Sequence, residues 1–173
     1  MGLNFKELLK DVKAFAFDVD GVFSHNVIVH PSGELMRSMN IKDGFAVQYA
    51  IKKGYPIAII TGGNSEAVKT RFANLGIKDI YLKSANKILD FNTFLSNNNV
   101  AANEVLYMGD DLPDYQIMKI VGVPTCPADA VEEIKAIAKY ISYKTAGEGC
   151  VRDVIEQTLR VQGNWLHPEA FVW

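Results

Sequence analysis

Short apolar runs of strand length recur along this chain, at residues 14–17, 56–60, 79–82, 104–108 and 123–125, and no other feature limits its possible folds so strongly. Helical patterns separate most of them, at 45–53, 65–75, 87–95, 115–121 and 130–138. Strands that are apolar on both faces and alternate with amphipathic helices bury themselves best in a parallel sheet covered on both sides. The expected fold is therefore a doubly wound α/β parallel sheet. In such sheets ligands sit beyond the carboxyl ends of the strands, so the polar residues that follow each strand carry the functional information.

Residues 26–41 break the alternation. A β-rich run at Val27, Ile28 and Val29, a turn signal at Pro31-Ser32-Gly33 and a second extended run over 35–41 predict a projecting β-hairpin. A two-stranded ribbon is marginal alone in water, and its apolar side chains predict packing against another subunit. At 173 residues and 49% hydrophobic content the chain suits one domain spanning 1–173. Residues 1–13 read as a short amphipathic helix with Phe5, Leu8, Leu9 and Val12 on one face; Lys6, Glu7, Lys10 and Asp11 interrupt any leader-like apolar core. The tail, 163–173, carries Trp165, Pro168, Phe171 and Trp173, too aromatic for solvated disorder, and is expected to dock on its own subunit or on a neighbour.

Other classes are disfavoured. A net charge of -2 without a dense Lys/Arg run offers no footprint for nucleic acid. No stretch approaches the ~18 apolar residues of a membrane span. Cys126 and Cys150 are far apart and lack metal-ligand spacing, consistent with reduced thiols in a cytoplasmic protein. His25, His30 and His167 are expected to face solvent.

Four strand ends carry chemistry. Asp18 and Asp20, in Phe17-Asp18-Val19-Asp20-Gly21, leave the first strand on one side, and two such carboxylates call for a hard divalent cation such as Mg2+. A solvated Asx turn would use the same residues. Thr61-Gly62-Gly63-Asn64-Ser65 offers a hydroxyl, backbone N–H groups and a helix start to a phosphate, and equally a helix cap at Asn64 or Ser65. Asp110, Asp111 and Asp114 follow the strand at 104–108 and can coordinate a cation and hold a lysine, although Asp114 also suits a first helical turn. Lys87 stands ahead of a helix, where a lone lysine is ordinarily a surface residue.

Taken together and in this order, the motifs resemble the haloacid dehalogenase superfamily of phosphohydrolases over residues 14–123. The resemblance implies that Asp18 is the nucleophile, Asp20 the general acid and base, and Asp18, Asp20 and Asp110 the Mg2+ residues. Thr61, Gly62 and Gly63 would bind the phosphoryl group, Lys87 would neutralise charge beside it, and Asp111 and Asp114 would support the site. Neither insertion point, 21–42 or 76–86, has room for a cap domain, so the chain resembles the capless branch, whose tetramers complete the site.

Within that branch Asp18-Val19-Asp20-Gly21-Val22, Ile41-Lys42-Asp43-Gly44, the helix carrying Arg71 and Gly147-Glu148-Gly149-Cys150-Val151-Arg152-Asp153 resemble the phosphatases of 3-deoxy-D-manno-octulosonate 8-phosphate over residues 13–160. This likeness implies phosphate release from an eight-carbon sugar acid in lipopolysaccharide synthesis, a homotetramer built through the hairpin, and substrate contacts from Asp43 and Arg71. The chain departs from many relatives in having Gly63 and Asn64 where arginines follow the Thr-Gly pair; Arg71, or Arg152 of a neighbouring subunit, would then hold the sugar acid's carboxylate. Three other readings share some of these features: a phosphatase for a nine-carbon sugar acid phosphate, a non-catalytic oligomerisation module, and a receiver domain, in which the lysine comes last rather than ahead of Asp110.

Overall fold

A computed structural model describes residues 4–172. In chain order the strands are β1 (Ala14–Phe17), β2 (Val27–Val29), β3 (Leu35–Arg37), β4 (Ile57–Ile60), β5 (Asp79–Tyr81), β6 (Val105–Met108), β7 (Val123–Cys126) and β8 (Tyr140–Ile141). The helices are α1 (Phe5–Leu8), α2 (Ile41–Lys52), α3 (Glu66–Asn74), α4 (Lys87–Asn98), α5 (Tyr115–Met118), α6 (Glu132–Ile137) and α7 (Cys150–Val161). Six strands form one sheet in the order β5-β4-β1-β6-β7-β8, and every pairing in it is parallel.

Every residue of β1, β4, β6 and β7 is buried, as expected for strands covered on both faces. Alternate side chains feed two cores. Phe15, Phe17, Ile57, Ile59, Leu106 and Met108 pack with Val47 of α2, Phe72 of α3 and Val151 of α7. Ala14, Ala16, Ala58, Ile60, Val105 and Tyr107 pack with Phe91 and Phe94 of α4, Ile117 of α5 and Ile134 of α6. The chain steps from β1 to one side at β4 and to the other at β6, which opens a crevice at the carboxyl end of β1.

The hairpin β2–β3 is a separate two-stranded antiparallel sheet. Its second strand ends earlier than the pattern predicted: Ile41 opens α2, because the Asn40 side chain accepts the Lys42 N–H (2.8 Å) and caps the helix. Two elements lie outside the expected strands and helices. β8 is only two residues long. Helix α7 follows Gly149, which has positive φ and makes no side-chain cap, so the usual start signal is missing although Val151, Val154, Ile155 and Leu159 recur at helical spacing.

The N-terminal segment is α1 followed by a 3-10 turn, with Leu9 and Val12 buried and Phe5 and Leu8 packed against the core. The tail docks on its own chain. Tyr49 Oη donates to the Asn164 carbonyl (3.1 Å) and accepts from His167 N–H (3.2 Å). Trp165 meets Tyr49 edge-on, while the guanidinium groups of Arg152 and Arg160 lie 5.3 and 5.6 Å from its centroid. Trp173 falls outside the described residues. His25 and His30 are exposed, but His167 corrects the solvent-facing expectation: Lys53 Nζ donates to its Nδ1 (2.9 Å) and its Nε2 donates to the Gly163 carbonyl (2.8 Å). Both cysteines are buried and free.

Candidate active site

The crevice beyond β1 is lined by three strand ends and the start of α4. Asp18 follows β1 directly, Thr61 follows β4, and Asp110 follows β6 after Gly109. Lys87, the first residue of α4, is 6% exposed, and its ammonium group lies between Asp18 Oδ2 (2.9 Å) and Asp114 Oδ1 (2.7 Å). The lysine is therefore a buried bridging cation. Burial opposes its charge, but Asp114 and Asp18 together hold its pKa above the ordinary lysine value.

Asp114 is fully buried and saturated. Its Oδ1 accepts from Lys87 Nζ and Tyr107 Oη (2.5 Å), and its Oδ2 accepts from the backbone N–H groups of Asp110 (3.1 Å) and Asp111 (3.5 Å). It thus braces both the lysine and the acidic loop. Tyr107, a phenol in an otherwise apolar strand, is the group that sequence reasoning passed over here; its polar tip inside a buried run was the available signal. Asp111 is exposed and caps the following turn through Leu112 N–H (2.7 Å). Gly109 and Gly21 supply space: a Cβ on Gly109 would lie 2.4 Å from the Asp114 side chain, and one on Gly21 1.9 Å from Asp110 Oδ2.

Carboxylate oxygens of Asp18, Asp110 and Asp114 lie within 4.8 Å of one another. One lysine faces three acids, so the cluster is short of positive charge. Burial, and then the Asp114 charge, push Asp18 well above the carboxylate range despite Lys87, and the same two causes push Asp110 up to about 7. Asp110 Oδ1 is buried without a hydrogen-bond partner among the described residues. Since both Asp114 oxygens are occupied, the oxygens available to a metal belong to Asp18 and Asp110. Such an all-oxygen donor set fits a hard divalent cation.

The other expected site residues are distributed unevenly. The Asp20 carboxylate stays out of this cluster, correcting its expected place among the metal-binding side chains. After Phe17 the chain leaves strand geometry, with Phe23 and Ser24 N–H both donating to the Val19 carbonyl, so the two-residue alternation no longer holds. Asp20 is instead held by Arg37 of β3, with Nε to Oδ1 at 2.5 Å and Nη2 to Oδ2 at 2.8 Å. Thr61 is buried and its Oγ1 accepts the Gly63 N–H (3.1 Å), while Ser65 caps α3 by accepting the Val68 N–H (3.4 Å). Arg71 sits beside Gly44 of α2 and lines a groove of about 310 Å³ under the hairpin, with Arg37, Met36 and Met39. It makes no ion pair with the crevice carboxylates among the described residues.

Asp43 is a further correction. It is fully buried, with Oδ1 accepting the Arg152 N–H (2.7 Å) at the start of α7, so it ties two helices together and cannot meet a substrate from this position. Burial raises its carboxyl to about 6 against the pull of that N–H. A carboxyl that binds its proton more tightly when folded contributes less to stability as pH rises from its unfolded value, about 4, through its folded one. Asp43→Asn should accordingly raise stability near neutral pH by roughly 1–3 kcal/mol. It should also flatten the decline between about pH 4 and 6, and melting curves that keep the wild-type slope would count against this.

A family model described as haloacid dehalogenase-like hydrolase matches residues 76–155. The 3-deoxy-D-manno-octulosonate 8-phosphate phosphatase of Salmonella typhi is 34% identical over 155 residues, covering 89% of this chain and 82% of its own. The chain belongs to the haloacid dehalogenase-like hydrolases. Within that family, the Moraxella catarrhalis 3-deoxy-D-manno-octulosonate 8-phosphate phosphatase, solved with magnesium ion, phosphate ion and KDO, superposes with a TM-score of 0.89. It is 31% identical, and the match covers 97% of this chain and 95% of that one. The corresponding Yersinia pestis phosphatase gives a TM-score of 0.90 at 28% identity, covering 93% and 88%. Asp18, Thr61 and Asp110 thus sit at the strand ends of a hydrolase fold, with Lys87 at the start of α4 beside them, where ligands of such sheets bind.

Proposed function

We propose that this protein is a Mg2+-dependent phosphomonoesterase that passes phosphate through Asp18 and releases it from 3-deoxy-D-manno-octulosonate 8-phosphate in lipopolysaccharide biosynthesis. The observation that carries the mechanism is the buried Lys87 bridge from Asp18 to Asp114 beside the unpartnered Asp110 oxygen. The relatives of known substrate, which match most of this chain, support the choice of ester.

Asp18 offers a carboxylate oxygen for in-line attack on phosphorus, forming an aspartyl phosphate as the sugar alkoxide leaves. Lys87 offsets the charge gathered on nucleophile and phosphoryl oxygens, and the Thr61 hydroxyl and the Gly62 N–H hold the phosphoryl group, since the Thr61 N–H already donates to the Tyr81 carbonyl (3.0 Å) and the Gly63 N–H to Thr61 Oγ1. Asp20 gives a proton to the departing alkoxide and takes one from the water that hydrolyses the aspartyl phosphate. Asp18 and Asp110 would hold Mg2+, which when bound would supply the missing positive charge and lower the repulsion between two anions.

A homotetramer through the hairpin and a cytoplasmic location belong to the same proposal. Val27, Ile28, Val29, Leu35 and Met36 are all exposed, with Val29 at 71%, which supports a hairpin that packs against other subunits. Among the described residues no helix is long and apolar enough to cross a membrane.

The test is phosphate release from a panel containing the octulosonate 8-phosphate, nine-carbon sugar acid phosphates and hexose phosphates. The octulosonate ester should be preferred, with activity abolished by chelation and restored by Mg2+. Preference for another ester would keep the chemistry and overturn the substrate; no release from any would overturn the enzyme itself.

A further inference from the structure

Although the hairpin shares no backbone pairing with the central sheet, it reaches the crevice through one side chain. Arg37, at the end of β3, grips Asp20 with a two-pronged contact, while its Nη1 donates to the Leu35 carbonyl (3.2 Å) of its own strand. The Arg37 side chain is 6% exposed and that of Asp20 38%. The guanidinium is therefore enclosed, whereas the acid it holds stays partly open to solvent. Each prong occupies one acceptor position on a carboxyl oxygen, and each of those oxygens has a second, so a position stays open on Asp20 to carry a proton or meet a ligand.

The neighbouring loop is shaped around this pair. A Cβ on Gly63 would lie 3.2 Å from Arg37 Nη2, 3.5 Å from Asp20 Oδ2 and 3.4 Å from Thr61 Oγ1. Any side chain at that position would press on the contact. A loop after β1, a hairpin strand and a loop after β4 thus meet at one carboxylate.

From this geometry we infer that Arg37 is a positioning residue for Asp20, so that the hairpin sets the aim of the acid as well as projecting from the fold. The inference rests on the phosphatase reading of Asp20. A carboxylate on a loop that has left strand geometry is free to rotate, and misplacement of a catalytic group by about 1 Å can cost on the order of 100-fold in rate. The fork of an arginine fixes both oxygens at once; a lysine can fix only one.

The test is the dependence of rate on leaving group. Arg37→Gln and Arg37→Lys are assayed on p-nitrophenyl phosphate, whose phenolate departs readily without a proton, and on the best alkyl phosphate of the panel above, whose alkoxide needs one. Arg37→Gln should lower kcat on the alkyl ester at least about tenfold more than on the aryl ester, with KM changing less than kcat. Arg37→Lys should recover part of the loss. Equal losses on both esters, or no loss on either, would overturn the inference. Hydrogen exchange across the hairpin supplies a readout without turnover: Arg37→Gln and Asp20→Asn should each speed exchange in β2 and β3, and unchanged protection in both would overturn it as well. A wild-type protein that cleaves neither ester, yet shows this exchange behaviour, would sink the phosphatase reading while leaving the contact that holds the hairpin.

Discussion

Asp18→Asn is expected to abolish phosphate release, by about 10⁴-fold or more, while leaving the protein folded. The amide is close in shape to the carboxylate it replaces, and its oxygen can still accept the Val19 N–H that Asp18 Oδ1 accepts at 2.7 Å. What it lacks is a nucleophilic oxygen to form the aspartyl phosphate. Lys87 keeps its ion pair with Asp114, so the variant should stay folded, with a modest loss of stability because the new amide N–H2 faces the ammonium group that Asp18 Oδ2 meets at 2.9 Å. Phosphate release and thermal melting, measured together, check both halves. Residual turnover above about 1% of wild type would remove Asp18 from the nucleophile's role. A variant that melts much lower would mean that its ionised form stabilises the site.

Lys87→Met should be the opposite case, losing both activity and stability. The methionine keeps most of the length of the side chain and removes the ammonium group shared by Asp18 and Asp114, which is buried with them. Removing one partner from a buried ionic group typically costs about 3–5 kcal/mol, since a charge is left without compensation. For a chain of this size that is roughly 6–20 °C in melting temperature. Adding Asp114→Asn to the same chain should recover part of the stability, because the uncompensated acid is then neutral, but none of the activity. If Lys87→Met melts like wild type, the bridge contributes little to the fold. If the double variant regains turnover, Lys87 has no role in phosphate transfer.

These two variants differ because position along the chain and position in the charge network are separate facts. Asp18 stood out in the sequence from its place after a fully apolar run, and so did Asp110. Lys87 did not: nothing in its neighbours distinguishes a buried bridging lysine from the surface lysine that a helix start usually carries. Its burial is decided by where α4 meets the ends of β1 and β6, contacts between residues far apart in sequence. Asp43 misled for the same reason, since its resemblance motif is local, while its partner, the N–H of Arg152, lies 109 residues away.

The hairpin shows the boundary clearly. A β-rich run, a Pro-Ser-Gly turn and a second extended run were enough to expect two paired strands, because a ribbon needs only local pairing and a tight turn. That Arg37 swings inward to hold Asp20 depends on how the ribbon packs over the loops after β1 and β4. Local periodicity and strand-end chemistry by themselves determined the doubly wound sheet and the identity of the groups at its switch point, since both follow from which faces must be buried. Only the tertiary structure decided which of those groups share a charge, which are braced and which are sealed away. Electrostatic pairing falls off over a few ångströms and is set by contacts that no short stretch of sequence contains.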